Sequence, residues 1–278
     1  MRKTRFLGLP YIAWMTAFII FPLVLMLIYA LQLKNQPGEF TLKNFIDIFT
    51  AENGMYLKIL WNSIVLAFLS TALCLLSGYP VALFISRLPP EKRNIYLILV
   101  VLPTWMNFLL RTYSWMNLLG KNGLINKLLV MLGFGSADLL YNYGAVLLGM
   151  VYNFLPFMIY PIYSVLIKIK PSYLEAASDL GANSWSVFRK ITLPLSFPGI
   201  ITGITMVFMP AVSTFVIPEL LGGGQTMYIG NLIQHQFLQK GDWNQGSAVS
   251  MIMMTVILTA MLVMNRFDSS DEKDNALW

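Results

Sequence analysis

Glu175-Ala176-Ala177-Ser178-Asp179-Leu180-Gly181, followed nine residues later by Ile191-Thr192-Leu193-Pro194, is the stretch on which the reading of this chain turns. It lies in a cationic loop between two strongly apolar segments. Pro171, just upstream, suits the first turn of a helix, where a missing N–H costs nothing. Glu175, Ala176 and Ala177 fit that helix, with the Glu175 carboxylate expected early enough to favour the helix dipole. Gly181 supplies a residue tolerant of positive φ, where the chain turns sharply. Asn183 or Ser184 then serves as N-cap of a second short helix. Trp185, Val187 and Phe188 give that helix apolar anchors, and Arg189 and Lys190 close it. An exposed Trp and Phe on so short a helix call for a covering surface. That surface is either another protein or the membrane interface itself.

Composition explains why such a loop would be flanked by apolar segments. The chain of 278 residues is 57% hydrophobic and 12% charged, with mean hydropathy +0.65. A soluble domain carries about twice that charge fraction. Six apolar stretches approach the roughly 20 residues that span a bilayer. They run from Leu9 to Leu31, Ile59 to Ile85, Ile95 to Leu119, Leu139 to Ile167, Phe197 to Pro218 and Ser247 to Asn265. The third carries Asn107 and Arg111, and the fourth carries Pro156 and Pro161. The expected fold is all-α integral membrane, with six transmembrane helices in one domain over residues 1–278. The loop of interest covers about 168–196.

Orientation follows from the distribution of Lys and Arg. Arg2, Lys3, Arg5, Arg87, Lys92, Arg93, Lys168, Lys170, Arg189, Lys190, Arg266 and Lys273 fall on one side. Lys34, Lys43, Lys58, Arg111, Lys121, Lys127 and Lys240 fall on the other. The richer side is expected to be cytoplasmic, with both termini and the Glu175 loop. The net charge of +6 is thus a topology signal, with no nucleic-acid partner expected. The first apolar run is too long for a cleaved signal peptide, so it reads as a permanent span. The tail from Asp268 to Asp274 is expected to fray.

Chemistry-bearing clusters are sparse. No G-x-x-x-x-G-K-[ST] occurs, so no phosphate cradle is expected. His235 is the lone histidine, and no metal site is expected from it. Cys74 is the lone cysteine and sits inside an apolar run. Any nucleotide energy is expected to come from another chain.

The spacing E-A-A, three residues, G, nine residues, I-x-L-P resembles the "EAA" loop of ABC-importer permeases. The resemblance extends over most of the chain. It runs through Leu102-Pro103-Thr104-Trp105, Leu110-Arg111-Thr112-Tyr113 and Gly149 to Met158. It continues through Gly222-Gly223, Ile229-Gly230-Asn231, Gln236-Phe237 and Asp242-Trp243. These stretches resemble permease subunits of the PotB type, which serve spermidine and putrescine import. Related permeases for iron, sulfate, molybdate or thiamine share the architecture and remain open as alternatives, with a secondary transporter as a third reading.

The resemblance implies type I importer architecture in a bacterial cell membrane. It implies a heterodimer with a second permease subunit, two ATPase subunits and an extracytoplasmic polyamine-binding protein. ATP and magnesium would sit on the ATPase, and no cofactor is expected in this chain. Glu175, Ala176, Ala177, Gly181, Trp185 and Phe188 are the expected ATPase-coupling residues. Leu221 to Gln225 looks superficially like the ATPase signature LSGGQ, and reads as a flexible outer loop.

A polyamine pathway calls for carboxylates and aromatic faces. Glu219, expected to close the fifth span after Pro218, is the best-placed acid. Trp105, Tyr113, Tyr152 and Tyr160 offer aromatic surface.

Overall fold

The computed structural model describes residues 9–33, 36–50 and 54–275. The basic residues Arg2, Lys3, Arg5 and Lys34 lie outside the described residues. The chain divides into two compact units, one from residues 1–61 with 229–256 and the other from 62–228 with 257–278.

The first unit opens with α1 (Leu9–Met15) and α2 (Phe21–Leu31), joined by one π turn. None of the 18-residue apolar window within Pro10–Leu31 is buried. Side chains such as Trp14, Phe18 and Phe21 therefore face outward, as lipid-facing surface does. A short antiparallel pair follows, β1 (Gln32–Leu33) with β2 (Gln36–Phe40), and then α3 (Lys43–Thr50). The last carbonyls of α2 have no helical partner. Two asparagine amides supply one. Asn44 Nδ2 donates to the Ala30 and Gln32 carbonyls, each at 2.8 Å. Asn244 Nδ2, on α15 (Trp243–Asn275), donates to Tyr29 and Gln32, each at 2.9 Å. The short helix α14 (Ile229–Gln234) completes this unit.

The second unit is organised around α8 (Tyr143–Leu166), the most buried of the long apolar helices. Its neighbours are α4 (Met55–Ser86), α5 (Pro90–Val101), α6 (Phe108–Leu119) with α7 (Leu124–Met131), α12 (Phe197–Ser213) and α13 (Val216–Gly222). On the loop between α8 and α12 lie α9 (Pro171–Asp179), α10 (Ser184–Val187) and α11 (Leu193–Leu195). In lipid, helices associate by close packing and not by escape from water, so small residues mark the contacts. Gly199 and Gly203 on α12 are four apart, on one helix face. A Cβ at Gly199 would stand 2.9 Å from the Pro161 carbonyl oxygen, and one at Gly203 would stand 2.7 Å from Met158 Sδ. Gly78 on α4 meets Met158 in the same way, at 3.1 Å. Gly149 on α8 leaves room for Leu221 and Ile217 of α13.

Among the described residues, four helices are long and apolar enough to cross a membrane, and six crossings result if each of two bent pairs is one span. The bent pairs change the expected outline. The third stretch is no continuous helix from Ile95 to Leu119. It bends by 92° between Trp105 and Phe108. Asn107 is the reason: its side chain accepts hydrogen bonds from Leu109 N at 2.9 Å and Leu110 N at 3.4 Å, so it caps a new helix instead of lying inside an old one. The fourth starts at Tyr143, with Asn142 as N-cap accepting from Ala145 N at 2.9 Å, and not at Leu139. The fifth stops at Ser213. Thr214 is extended, and Pro218 belongs to the separate helix α13. The sixth runs on as helix to Asn275, through the tail expected to fray.

The glycine contact on α12 yields a test. Gly199→Val places atoms against α8 backbone, which has no rotamer to yield. The detergent-solubilised variant should lose about 2 kcal/mol or more, by analogy with overpacked cores, and melt well below the wild type. Gly120→Ala, whose Cβ would meet its nearest atom at 3.4 Å, should melt near it. Equal melting of both variants would remove the close-approach account.

Candidate functional site

The loop from α9 to α11 is a sequence of end-caps. Pro171 is the first residue of α9, and Lys170 is its extended N-cap. Glu175 falls in the second turn and not the first, so the expected dipole contribution at the very N-terminus is absent. At the other end, Gly181 adopts φ +81°. Gly181 N–H donates to the Ser178 carbonyl at 2.9 Å and Ala182 N–H to the Ala177 carbonyl at 3.0 Å. This pair of bonds is the Schellman arrangement, which satisfies carbonyls the helix leaves open. Asn183 then caps α10, its Oδ1 accepting from Ser186 N at 2.8 Å. Glu175 and Ala176 are exposed and Ala177 is half-buried.

Two apolar side chains stand proud of this turn. Leu180 is 90% exposed and Trp185 is 66% exposed. Trp185 does not float freely, because it stacks on Phe188 with ring centroids 5.5 Å apart. Phe188 in turn meets the edge of Tyr79, on α4, at 5.9 Å. The Tyr79 hydroxyl lies 2.9 Å from Ser196 Oγ in a buried contact. Ser196 Oγ–H donates to the Leu193 carbonyl at 2.9 Å. Tyr79 O–H is therefore the donor to Ser196. Ser196 occupies the junction where the chain bends by 61° from α10–α11 into α12. An exposed aromatic is thus connected to a helix bend through three consecutive contacts. Neither Tyr79 nor Ser196 carries a sequence signal of its own, since each is one polar residue in an apolar run.

The expected pathway residues lie on several elements of the second unit. Trp105 sits on the turn before the 92° bend and is 80% exposed. Tyr113 lies on α6. Tyr152 and Tyr160 lie on α8, about 12 Å apart along its axis at the helical rise per residue. Tyr152 packs edge-on to Trp115 with centroids 5.3 Å apart. Glu219 does not close the fifth span: it is exposed in the first turn of α13, its N–H donating to the Phe215 carbonyl at 3.0 Å. Arg111 is 6% exposed, with the Phe108 ring 5.9 Å from its guanidinium carbon. Among the described residues no carboxylate pairs with it, and its Nε and Nη1 have no partner.

Leu221 to Gln225 is not a flexible loop. Gly223, at φ +60°, ends α13 in the left-handed conformation. A Cβ there would stand 2.6 Å from the Tyr141 ring. Tyr141 N–H donates to the Leu221 carbonyl at 2.9 Å. Gly222 and Gly223 form a close-packed corner against Val146 and Tyr141, while Gly224 faces open space.

Several apolar helices able to cross a membrane, with a capped and exposed loop between two of them, define a multi-pass membrane protein. The chain matches the family of binding-protein-dependent transport system inner membrane components over residues 78–269, and it belongs to that family, as a multi-pass protein of the bacterial inner membrane. It is 38% identical to the spermidine/putrescine transport system permease protein PotB of Haemophilus influenzae, over 90% of this chain and 88% of that protein. It is 34% identical to the PotB of Escherichia coli K12, over 91% and 92%. The fold is that of ABC-transporter permeases. A bacterial importer of the acidic polysaccharide alginate superposes with TM-score 0.82 at 19% identity, covering 96% of this chain and 95% of that one. The methionine transporter MetNI superposes with TM-score 0.60 at 16% identity, covering 78% and 95%.

The polarity of the Tyr79–Ser196 contact yields a test by thermal unfolding. Tyr79→Phe removes one buried hydrogen bond and leaves Ser196 still donating to Leu193, a loss of about 1 kcal/mol. Ser196→Ala strands the buried Tyr79 hydroxyl, at about 1–3 kcal/mol. Ser196→Ala should therefore melt lower. The opposite ranking would reverse the assignment of donor and acceptor.

Proposed function

We propose that this chain is a permease subunit of an ABC importer for polyamines, spermidine and putrescine, and forms part of their path across the membrane. The observation that carries this reading is the pair of PotB relatives at 38% and 34% identity over about nine-tenths of the chain. The exposed, capped loop around Gly181 supports the coupling half of it. Glu175, Ala176, Ala177, Gly181, Trp185 and Phe188 form the surface on which an ATPase subunit docks. ATP and magnesium belong to that partner, and this chain is non-catalytic. A second permease subunit pairs with this one as a heterodimer, two ATPase subunits lie beneath the pair, and an extracytoplasmic binding protein delivers the polyamine. The Lys/Arg bias places both termini and the coupling loop in the cytoplasm.

Coupling then has a physical form. Covering Leu180 and Trp185 with a partner surface favours one position of the loop, and binding shifts a population only through such differential contact. The Trp185–Phe188–Tyr79–Ser196 contacts carry that bias to the bend ahead of α12. Glu219 and the aromatic residues Trp105, Tyr113, Tyr152 and Tyr160 act on the solute side. A carboxylate attracts an ammonium group, and ring faces accept it.

Gly181 offers the sharpest coupling test. Space around it is open, with no atom within 4 Å of a built Cβ. Only its φ of +81° resists substitution. Gly181→Val should lower polyamine-stimulated ATPase activity of the reconstituted importer by tenfold or so, since a β-branched residue is a genuine outlier at positive φ. Gly181→Asn, which tolerates that region, should retain most of it. Wild-type stimulation in Gly181→Val would remove the loop from the coupling path.

Labelled spermidine and putrescine uptake by the complete importer in proteoliposomes tests the substrate, with Glu219→Gln as the site variant. Uptake should fall severalfold while complex assembly persists, and Glu219→Asp should keep part of it. Full uptake by Glu219→Gln would make Glu219 an ordinary surface acid.

A further inference from the structure

At the end of the second unit away from the coupling loop, a cavity of about 440 Å³ opens between the C-terminal end of α6, the segment before α8 and the corner after α13. Leu119, Lys121, Asp138, Tyr141 and Gln225 are among its lining residues. Its volume lies in the range of small-molecule sites. It holds one ion pair, Lys121 Nζ to Asp138 Oδ1 at 3.3 Å, with side chains 81% and 82% exposed.

The walls are built, although the ion pair is open to solvent. Asn126 is buried. Its Nδ2 donates to the Gly120 carbonyl at 3.0 Å, and its Oδ1 accepts from Ala137 N at 2.9 Å. Gly120 directly precedes Lys121, and Ala137 directly precedes Asp138. One buried amide therefore fixes the two backbones that carry the pair. On the far side of Asp138, Asn142 Nδ2 donates to the Asp138 carbonyl at 3.0 Å. Tyr141, in the floor, is the one non-glycine residue with positive φ among the described residues, at +60°. Its N–H bond to Leu221 and its ring against Gly223 hold it there.

The chemistry of the pair matters. A lysine side chain is four methylenes ending in a primary ammonium. Putrescine is four methylenes with an ammonium at each end, and spermidine carries the same aminobutyl arm. Lys121 thus presents to Asp138 the group that a polyamine would present. The leucines give the methylenes an apolar wall, Tyr141 adds a ring, and Gln225 adds an amide oxygen. Because an exposed ion pair is weak, exchange of one ammonium for another costs little.

We propose that Asp138 is an amine-receiving carboxylate of this importer and that Lys121 is its tethered competitor, holding the site until a free aminobutyl group displaces it. The proposal rests on the polyamine reading of the preceding section. The site lies on the face expected to meet the binding protein, so an amine leaving that protein exchanges with Lys121 before entering the membrane. Net charge in the cavity is zero with Lys121 on Asp138. When the substrate ammonium replaces it, the Lys121 ammonium swings into solvent and the carboxylate stays neutralised.

The two members of the pair have opposite roles, so their removal has opposite effects. The measurement is spermidine uptake by the complete importer in proteoliposomes, as a function of the concentration of spermidine-loaded binding protein. Asp138→Asn should lower uptake efficiency, kcat/KM, by about two- to fivefold, the range set by an exposed charge pair. Lys121→Met keeps the stem and removes the charge, and should raise efficiency. Both side chains are exposed, and co-purification with the partner subunits verifies assembly. If both variants shift in the same direction, or neither shifts while the wild type transports spermidine, the pair is a surface ion pair only and the proposal fails. If the wild type takes up neither spermidine nor putrescine, the polyamine reading fails, and this assignment fails with it.

Discussion

In a hydrocarbon layer no water is at hand to accept the hydrogen bond of an interrupted helix. Every break in a spanning segment must therefore be closed by the protein itself, and the breaks of this chain are where its named side chains lie. Asn107 closes the break in the third stretch with its own side chain. Ser196 closes the bend before α12 twice, through its backbone N–H to the Thr192 carbonyl and through its hydroxyl to the Leu193 carbonyl. Asn44 and Asn244 close the end of α2. Some polar residues of the spans serve this requirement, whereas Thr71, Thr112 and Thr205 bond back to carbonyls within their own helices. Arg111 and Asn153 stand apart, with Arg111 Nε and Nη1 and Asn153 Oδ1 unsatisfied among the described residues.

The same absence of water removes the ordinary driving force for helix association. What replaces it is contact distance. Gly199 and Gly203 bring α12 against α8, Gly78 brings α4 against it, and Gly149 admits α13. Three neighbours thus reach α8 through missing side chains. A helix gripped in this way does not slide easily, so the second unit provides a firm base on which a loop can be displaced. The loop between α8 and α12 has the reverse character, with capped ends and exposed apolar tips.

Much of the loop was legible in its residue types. Pro171, Gly181 and Asn183 each have one backbone use that suits them, and each occupies that use. The apolar runs likewise located the spans, because length and hydropathy are properties of composition. Their interruptions were not legible. Between Ile95 and Leu119 both Asn107 and Asn117 interrupt the apolar character, and an asparagine inside a helix looks like an asparagine that starts one. Glu219 was misplaced for a related reason. Pro218 suggested the end of the fifth stretch, whereas the break comes earlier, at the extended Thr214. Leu221 to Gln225 looked loose because three glycines were taken for freedom. Gly222 and Gly223 are small for the sake of Val146 and Tyr141, contacts that lie about 80 residues away in sequence and leave no local trace.

The contacts from Trp185 to Ser196 combine both halves of this logic. The Trp185–Phe188 contact is largely dispersive, so the two rings tolerate small shifts while staying in contact. The Tyr79–Ser196–Leu193 hydrogen bonds are directional, and each hydroxyl has one donor position to give. A displacement arriving at Trp185 thus passes first through a compliant element and then through a stiff one. The stiff one is fixed to the backbone where the chain turns into α12, four residues before Ile200 and three before Gly199. Gly199 is also a point where α12 meets α8 backbone, a Cβ there standing 2.9 Å from the Pro161 carbonyl oxygen. Local bending of α12 toward α8 at Gly199 or Gly203 would bring it against Pro161 and Met158.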